Sequence, residues 1–283
     1  MANIIDGKLL SQEIKDNLKE KSLEFEKRFG RKITLAVILV GDNPASQVYV
    51  KNKIKATEYV GFKSLAFYLP SDSTEEQVED TVKSLANDNG VDGILVQLPL
   101  PKHLNETKIL NLIPADKDVD GFLPESVGKL MLGMPTTIAC TPYGVVKMLE
   151  STNIDFTGKN AVVIGRSNIV GKPMALLLLN MNCTVTVCHS KTQNLKDICK
   201  QADLIVAAIG KPKFVTADMV KDGAVVIDVG INRTENGLVG DVDYENIKDI
   251  ASYITPVPGG VGPMTIAMLL NNTYLCALRK ENA

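Results

Sequence analysis

Short runs of apolar residues alternate with helical stretches twice along this chain, and that alternation constrains the fold more than any other feature. In the first half, residues 33–40 (ITLAVILV), 64–69 and 93–98 (GILVQL) read as strands. Helical patterns run from Pro44 to Val60, ending at Gly61, and from Thr74 to Asn87. An earlier helix is expected from Gly7 to about Phe29, with Leu10, Ile14, Leu18 and Phe25 near helical spacing and Gly30 as its stop. Strands that are apolar throughout and joined by helices require a parallel sheet covered on both faces.

Residues 99–141 read as a loop-rich passage, and a helix over 141–150 is expected to start on an N-cap Thr141 followed by Pro142. The alternation then restarts, with strands over 160–164, 184–188, 204–209 and 224–229. Helices are expected over 171–180 and 195–201, with a long final helix over 263–280. The fold class is therefore α/β, with two α/β domains, the second a Rossmann-type dinucleotide-binding domain. The boundaries are placed at 1–139 and 140–263, and the helix from about 264 to 283 packs back on the first domain. A chain of 283 residues exceeds what one core usually serves, which agrees with two domains.

Composition narrows the partners. Net charge is -2, so there is no broad basic field for nucleic acid or an anionic membrane. Trp is absent and aromatics make up 5%, which argues against base-stacking platforms. Five cysteines without a CxxC pair, and only two His, make buried reduced thiols the expectation and a metal site not expected. The N-terminus turns charged after five residues without an apolar leader core, and the longest aliphatic stretch, near 175–179, falls far short of a membrane span. A cytoplasmic protein is expected.

Candidate chemistry lies in both halves. Residues 162–173 (VVIGRSNIVGKP) form a strand, a glycine turn and a helix, the setting in which backbone N–H groups and a helix N-terminus hold a pyrophosphate. The spacing departs from G-x-G-x-x-G, with Ser at 167, Val at 170 and the later glycine at 171. The next strand ends CHSKT, without the acid that would bind a ribose 2′-hydroxyl. Ser190 and Lys191, with Arg166 in the loop, are available for a 2′-phosphate, so NADP is favoured over NAD; the alternative is that they are solvated turn residues.

In SQVYVKNK, Tyr49 and Lys53 stand at i and i+4 on one helix face. The amine can shuttle protons and the ring can stack on a planar substrate, although this spacing is also common on exposed helices. Tyr-x-x-x-Lys also marks short-chain dehydrogenases, but there the glycine loop precedes the pair, and here Tyr49 lies far before Gly165. Gln97 ends a strand where open parallel sheets place ligands, and Asp120 sits in a glycine turn. Residues 255–263 (TPVPGGVGP) carry three prolines and three glycines, which suits a ligand wall or a domain hinge.

Taken in order, VGDNPASQVYVKNK, GILVQLPLP, DVDGF, TPYGV, GRSNIVGKP and TPVPGGVGPMT resemble the motif set of bifunctional methylenetetrahydrofolate dehydrogenase/cyclohydrolases. The resemblance spans roughly Val40 to Thr265, and the length suits the compact bifunctional form. It implies a folate cleft between the domains, Lys53 as principal acid/base, Tyr49 stacking on the folate, Gln97 bonded to Lys53 and Asp120 gripping the pterin. It further implies substrate contacts from Val96, Leu98, Pro258, Gly259 and Gly262. NADP contacts would come from Gly165, Arg166, Ser167, Ser190 and the backbone of Ile231, in a homodimer. A monofunctional NAD(P)-dependent dehydrogenase of folate or shikimate type, or a non-catalytic dinucleotide sensor, stays open at this point.

Overall fold

The computed structural model describes residues 1–134, 136–235 and 237–282. It divides into two compact units. The N-terminal unit comprises Glu13–Ile138 and Leu269–Ala283, of which Ala283 lies outside the described residues; the C-terminal unit comprises Met1–Gln12 and Ala139–Met268. The first twelve residues thus group with the second half of the chain, because the short strand β1 (Asn3–Ile4) pairs in parallel with a strand near residue 253.

The N-terminal unit holds most of α1 (Gly7–Phe29), then β2 (Thr34–Val40), α2 (Pro44–Tyr59), β3 (Lys63–Leu69), α3 (Glu75–Asn87) and β4 (Gly93–Val96). The strands form a three-stranded parallel sheet in the order β3-β2-β4. Central β2 is buried along its whole length, whereas edge strand β3 exposes Lys63, Ala66 and Tyr68. Covering on both faces therefore holds for β2 and not for β3. Helix α3 starts on a capping box, with Thr74 Oγ1 accepting from Gln77 N and Gln77 Oε1 accepting from Thr74 N. Ile38, Val78, Val82, Ile94 and Ile109 form the centre of this core.

Residues 99–141 are not all loop. They contain α4 (Glu106–Leu110) and α5 (Pro124–Met131), each too short to show a clear period in sequence. Strand β4 also ends at Val96 rather than Leu98, although Gln97 N still donates to Ile38 O at 2.8 Å.

The C-terminal unit contains α6 (Cys140–Glu150), β5 (Asn160–Ile164), α7 (Gly171–Asn180), β6 (Thr184–Cys188), α8 (Leu195–Lys200), β7 (Leu204–Ala207) and β8 (Val225–Asp228). There follow the hairpin β9 (Asn232–Thr234) and β10 (Gly237–Val239), α9 (Tyr244–Ile247), β11 (Tyr253–Ile254) and the first part of α10 (Val261–Glu281). Six strands form one parallel sheet in the order β1-β11-β8-β7-β5-β6. Thr141 is not the N-cap of α6; Ala139 occupies that place, and the Thr141 hydroxyl instead pairs with that of Thr265 at 3.0 Å.

Helix α10 is long and apolar enough to cross a membrane by length and composition, a possibility the short run at 175–179 did not suggest. Over half of its apolar window is buried inside the protein, with Met264, Ala267, Met268, Leu269 and Leu270 at 1% exposure or less, so it is accounted for as a core helix. All five cysteines are buried free thiols.

Candidate active site

Helix α2 is positioned by its start. Asn43 Oδ1 accepts from Ala45 N at 3.0 Å and Ser46 N at 3.1 Å, and Pro44 occupies the first turn. Ser46, Val50 and Thr57 face inward, with Lys53 half-buried at the edge of that stripe and Tyr49, one turn before it, exposed. Lys53 Nζ donates to Gln97 Oε1 at 2.9 Å. Gln97 Nε2 in turn donates to Leu98 O at 2.6 Å, which orients the amide so that its oxygen meets the ammonium. Val96 is buried below and Leu98 is half-buried beside it.

Asp120 lies close enough to this pair to feel it. Burial pushes its carboxyl up to about 6, the Lys53 charge pulls it back down, and neighbouring Asp118 pushes it up again. Gly121, at φ +69, turns the chain immediately afterwards. Tyr49, Lys53, Gln97 and Asp120 thus all fall in the N-terminal unit, with Lys53 linked to both Gln97 and Asp120.

In the C-terminal unit, β5 has β6 on one side and β7 on the other, so the connections through α7 and α8 leave from a topological switch point. In open parallel sheets that is where ligands bind, outside the carboxyl ends of the strands. Gly165 follows β5 there at φ +128, and a Cβ on it would lie 2.2 Å from Ala208 O. Its N–H donates to Cys188 O at 2.9 Å, which joins it to the end of β6. Ser167 Oγ accepts from Val170 N at 3.2 Å and Gly171 N at 3.3 Å, closing the turn into α7. Arg166, Ser190 and Lys191 are all exposed.

Ile231 is exposed after β8, and Gly262 comes close to it: a Cβ there would lie 3.3 Å from Ile231 Cδ1. Both line a cavity of about 140 Å³ together with Pro258 and Gly259. Among the described residues no group of three or more His, Cys, Asp or Glu could hold a metal.

Two family models match the chain. Residues 5–120 match the catalytic domain of tetrahydrofolate dehydrogenase/cyclohydrolase, and residues 139–281 match the NAD(P)-binding domain of the same family. The chain belongs to the tetrahydrofolate dehydrogenase/cyclohydrolase family. It is 59% identical over 273 residues to a relative from Agathobacter rectalis named bifunctional protein FolD, covering 96% of this chain and 98% of the relative. A crystal structure of bifunctional FolD from Campylobacter jejuni is 54% identical, covers 99% of both chains and has a TM-score of 0.96. The Trypanosoma brucei dehydrogenase-cyclohydrolase, solved with NADP cofactor and an inhibitor, is 39% identical, covers 100% of this chain and 99% of its own, and has a TM-score of 0.95.

This tetrahydrofolate dehydrogenase/cyclohydrolase also carries polar residues that the sequence reading did not single out. Asp228, at the end of β8, accepts from Gly230 N at 3.0 Å, Asp241 N at 2.9 Å and Val242 N at 2.9 Å. Burial pushes its carboxyl up to about 7 against the pull of these N–H groups. Asp241 accepts from Ile209 N, Gly210 N, Lys211 N and Asn232 Nδ2 at 2.7–2.9 Å. The two aspartates fix the loops after β7 and β8, beside the Ile231 cavity. The local signal was DVG followed by GDVD, because Gly230 and Gly240 leave no room for a Cβ against these carboxylates.

Proposed function

We propose that the chain oxidises 5,10-methylenetetrahydrofolate to the 5,10-methenyl form with NADP and hydrolyses that product to 10-formyltetrahydrofolate, with Lys53 as the acid/base group. The observation that carries this reading is the Lys53–Gln97 contact at 2.9 Å, with Asp120 in the field of the same ammonium, in a chain of this family.

The chemistry asks for little beyond placement in the first step. The methylene carbon lies between two nitrogens, so loss of hydride leaves a cation stabilised by both, and positioning is the protein's main task. Tyr49 stacks on the folate, and the Asp120 carboxylate accepts N–H bonds from the pterin. Val96 and Leu98 flank Gln97, and Pro258, Gly259 and Gly262 supply further folate contacts. When bound, NADP supplies the hydride acceptor.

The residues fit that cofactor. The glycine turn at Gly165 opens onto the N-terminus of the ten-residue helix α7, and no acid follows β6. Arg166, Ser167, Ser190 and the Ile231 backbone are its assigned contacts, with Ser190, Lys191 and Arg166 favouring a 2′-phosphate.

In the second step water adds to the methenyl carbon. Lys53 in its amine form takes a proton from that water and returns it to the ring nitrogen as its bond to carbon breaks. The remaining hydroxyl proton leaves to solvent, so the formyl group stays on the other nitrogen and one proton is released overall. Gln97 Oε1, fixed by its amide bond to Leu98 O, holds the amine in place for both transfers.

We also read the protein as a cytoplasmic homodimer acting on small molecules, without nucleic-acid or membrane partners; its net charge of -2 supports the last point. The test is one assay that follows NADPH and formyl product together from methylenetetrahydrofolate, with NADP and with NAD. Both products should rise, faster with NADP. Accumulating methenyl product would mean a monofunctional dehydrogenase, and no turnover would overturn the reading.

A further inference from the structure

We infer that Asp118 is a positioning residue for the folate-binding carboxylate: its own carboxylate holds the turn that presents Asp120. This rests on the reading of Asp120 as the group that grips the pterin.

The segment DKDVDGF carries three acids in different settings: Asp116 is exposed, Asp118 is buried and Asp120 is half-buried. The residues before Asp120 are anchored on every side. Lys117 Nζ donates to Leu85 O, Ala86 O and Asp88 O at 2.7–3.1 Å, filling the open carbonyls at the end of α3. Its own carbonyl accepts from Ile94 N at 3.0 Å, and Asp118 forms a parallel bridge with Ile94, so the segment runs alongside β4. Val119 packs where Gly93 leaves space, since a Cβ on Gly93 would lie 2.4 Å from Val119 Cγ1. Asn272 Nδ2 donates to Val119 O at 2.8 Å.

The residues after Asp120 hang on Asp118 alone among these anchors. Its Oδ1 accepts from Gly121 N at 2.9 Å, and its Oδ2 accepts from Leu123 N at 3.2 Å and from Ser126 Oγ at 2.8 Å. Strand β4 leads directly into Gln97, which accepts from Lys53. One strand therefore sets the register of both Gln97 and the Asp120 turn, and Asp118 is the link between strand and turn.

The charged groups facing Asp120 are Lys53 from α2 and Asp118 from its own segment. Burial raises the Asp120 carboxyl most, and the Asp118 charge adds to it. Neutralising Asp118 therefore keeps Asp120 ionised to lower pH, an effect that a purely structural anchor would not have.

The test measures kcat and KM for methylenetetrahydrofolate and for NADP across pH, in wild type, Asp118→Asn and Ser126→Ala. In Asp118→Asn the folate KM should rise about tenfold, the NADP KM should stay within about twofold, and the acid limb of kcat/KM should move to lower pH. Ser126→Ala keeps the charge, so its folate KM should rise a few-fold with the acid limb in place. A folded Asp118→Asn protein with the wild-type folate KM and acid limb would overturn the inference alone. If Asp118→Asn does not fold, Ser126→Ala decides, and an unchanged folate KM there would overturn it. Wild type without folate turnover would overturn the functional reading and this inference together.

Discussion

Each unit holds a pair of neighbouring aspartates beside the end of a strand, and the two pairs are used differently. In the C-terminal unit both carboxylates are enclosed by the loops they organise: Asp228 receives three backbone N–H groups, and Asp241 receives three more and an amide. In the N-terminal unit Asp118 is filled in the same way, by two backbone N–H groups and a hydroxyl. Asp120 instead faces the Lys53 charge. The same side chain is scaffold where the backbone surrounds it, and serves the proposed chemistry where its strongest named electrostatic partner is a lysine on another element.

The comparison breaks most clearly at Asp241. Removing the carboxylate takes the acceptor from four part-buried donors, and each one that water does not reach costs about 1–3 kcal/mol. Asp241→Ala should therefore lower stability by roughly 2–4 kcal/mol in denaturant unfolding. A loss below about 1 kcal/mol would remove Asp241 from the scaffold class.

Asp120→Asn should behave in the opposite way. Its carboxyl is raised from 3.8 to about 6, so at neutral pH the ionised form weakens the fold. The neutral amide should stabilise by about 1–2 kcal/mol while folate turnover is lost. A destabilised but active variant would reverse the assignment.

A smaller effect follows with pH. The carboxyls of Asp120 and Asp228 are raised to about 6 and about 7, so the folded chain keeps protons that the unfolded chain releases. Their contribution to stability is fully present below about pH 4 and is lost as pH rises through about 6 to 7. Denaturant midpoints should fall over that window, less steeply in Asp120→Asn.

Sequence pattern made the sheets legible because β2, β4, β5, β7 and β8 are short, apolar runs bounded by turns. It did not show β1 pairing with β11, since residues 3 and 253 meet only through tertiary structure. The helices α4 and α5 and the β9–β10 hairpin are too short to carry a period. In the site, i and i+4 spacing put Tyr49 and Lys53 on one face, while Gln97 and Asp120 were joined to them by the family resemblance. Asp118 could have been found from its bonds three, five and eight residues onward. The backbone donors to Asp241 lie about thirty residues away, at 209–211, and no local pattern marks them.

Lys53 carries the central claim. Lys53→Met should abolish methenyltetrahydrofolate hydrolysis while folate and NADP still bind, as measured by titration calorimetry beside the turnover assay. Undiminished hydrolysis in that variant would contradict the assignment of Lys53 as the acid/base group.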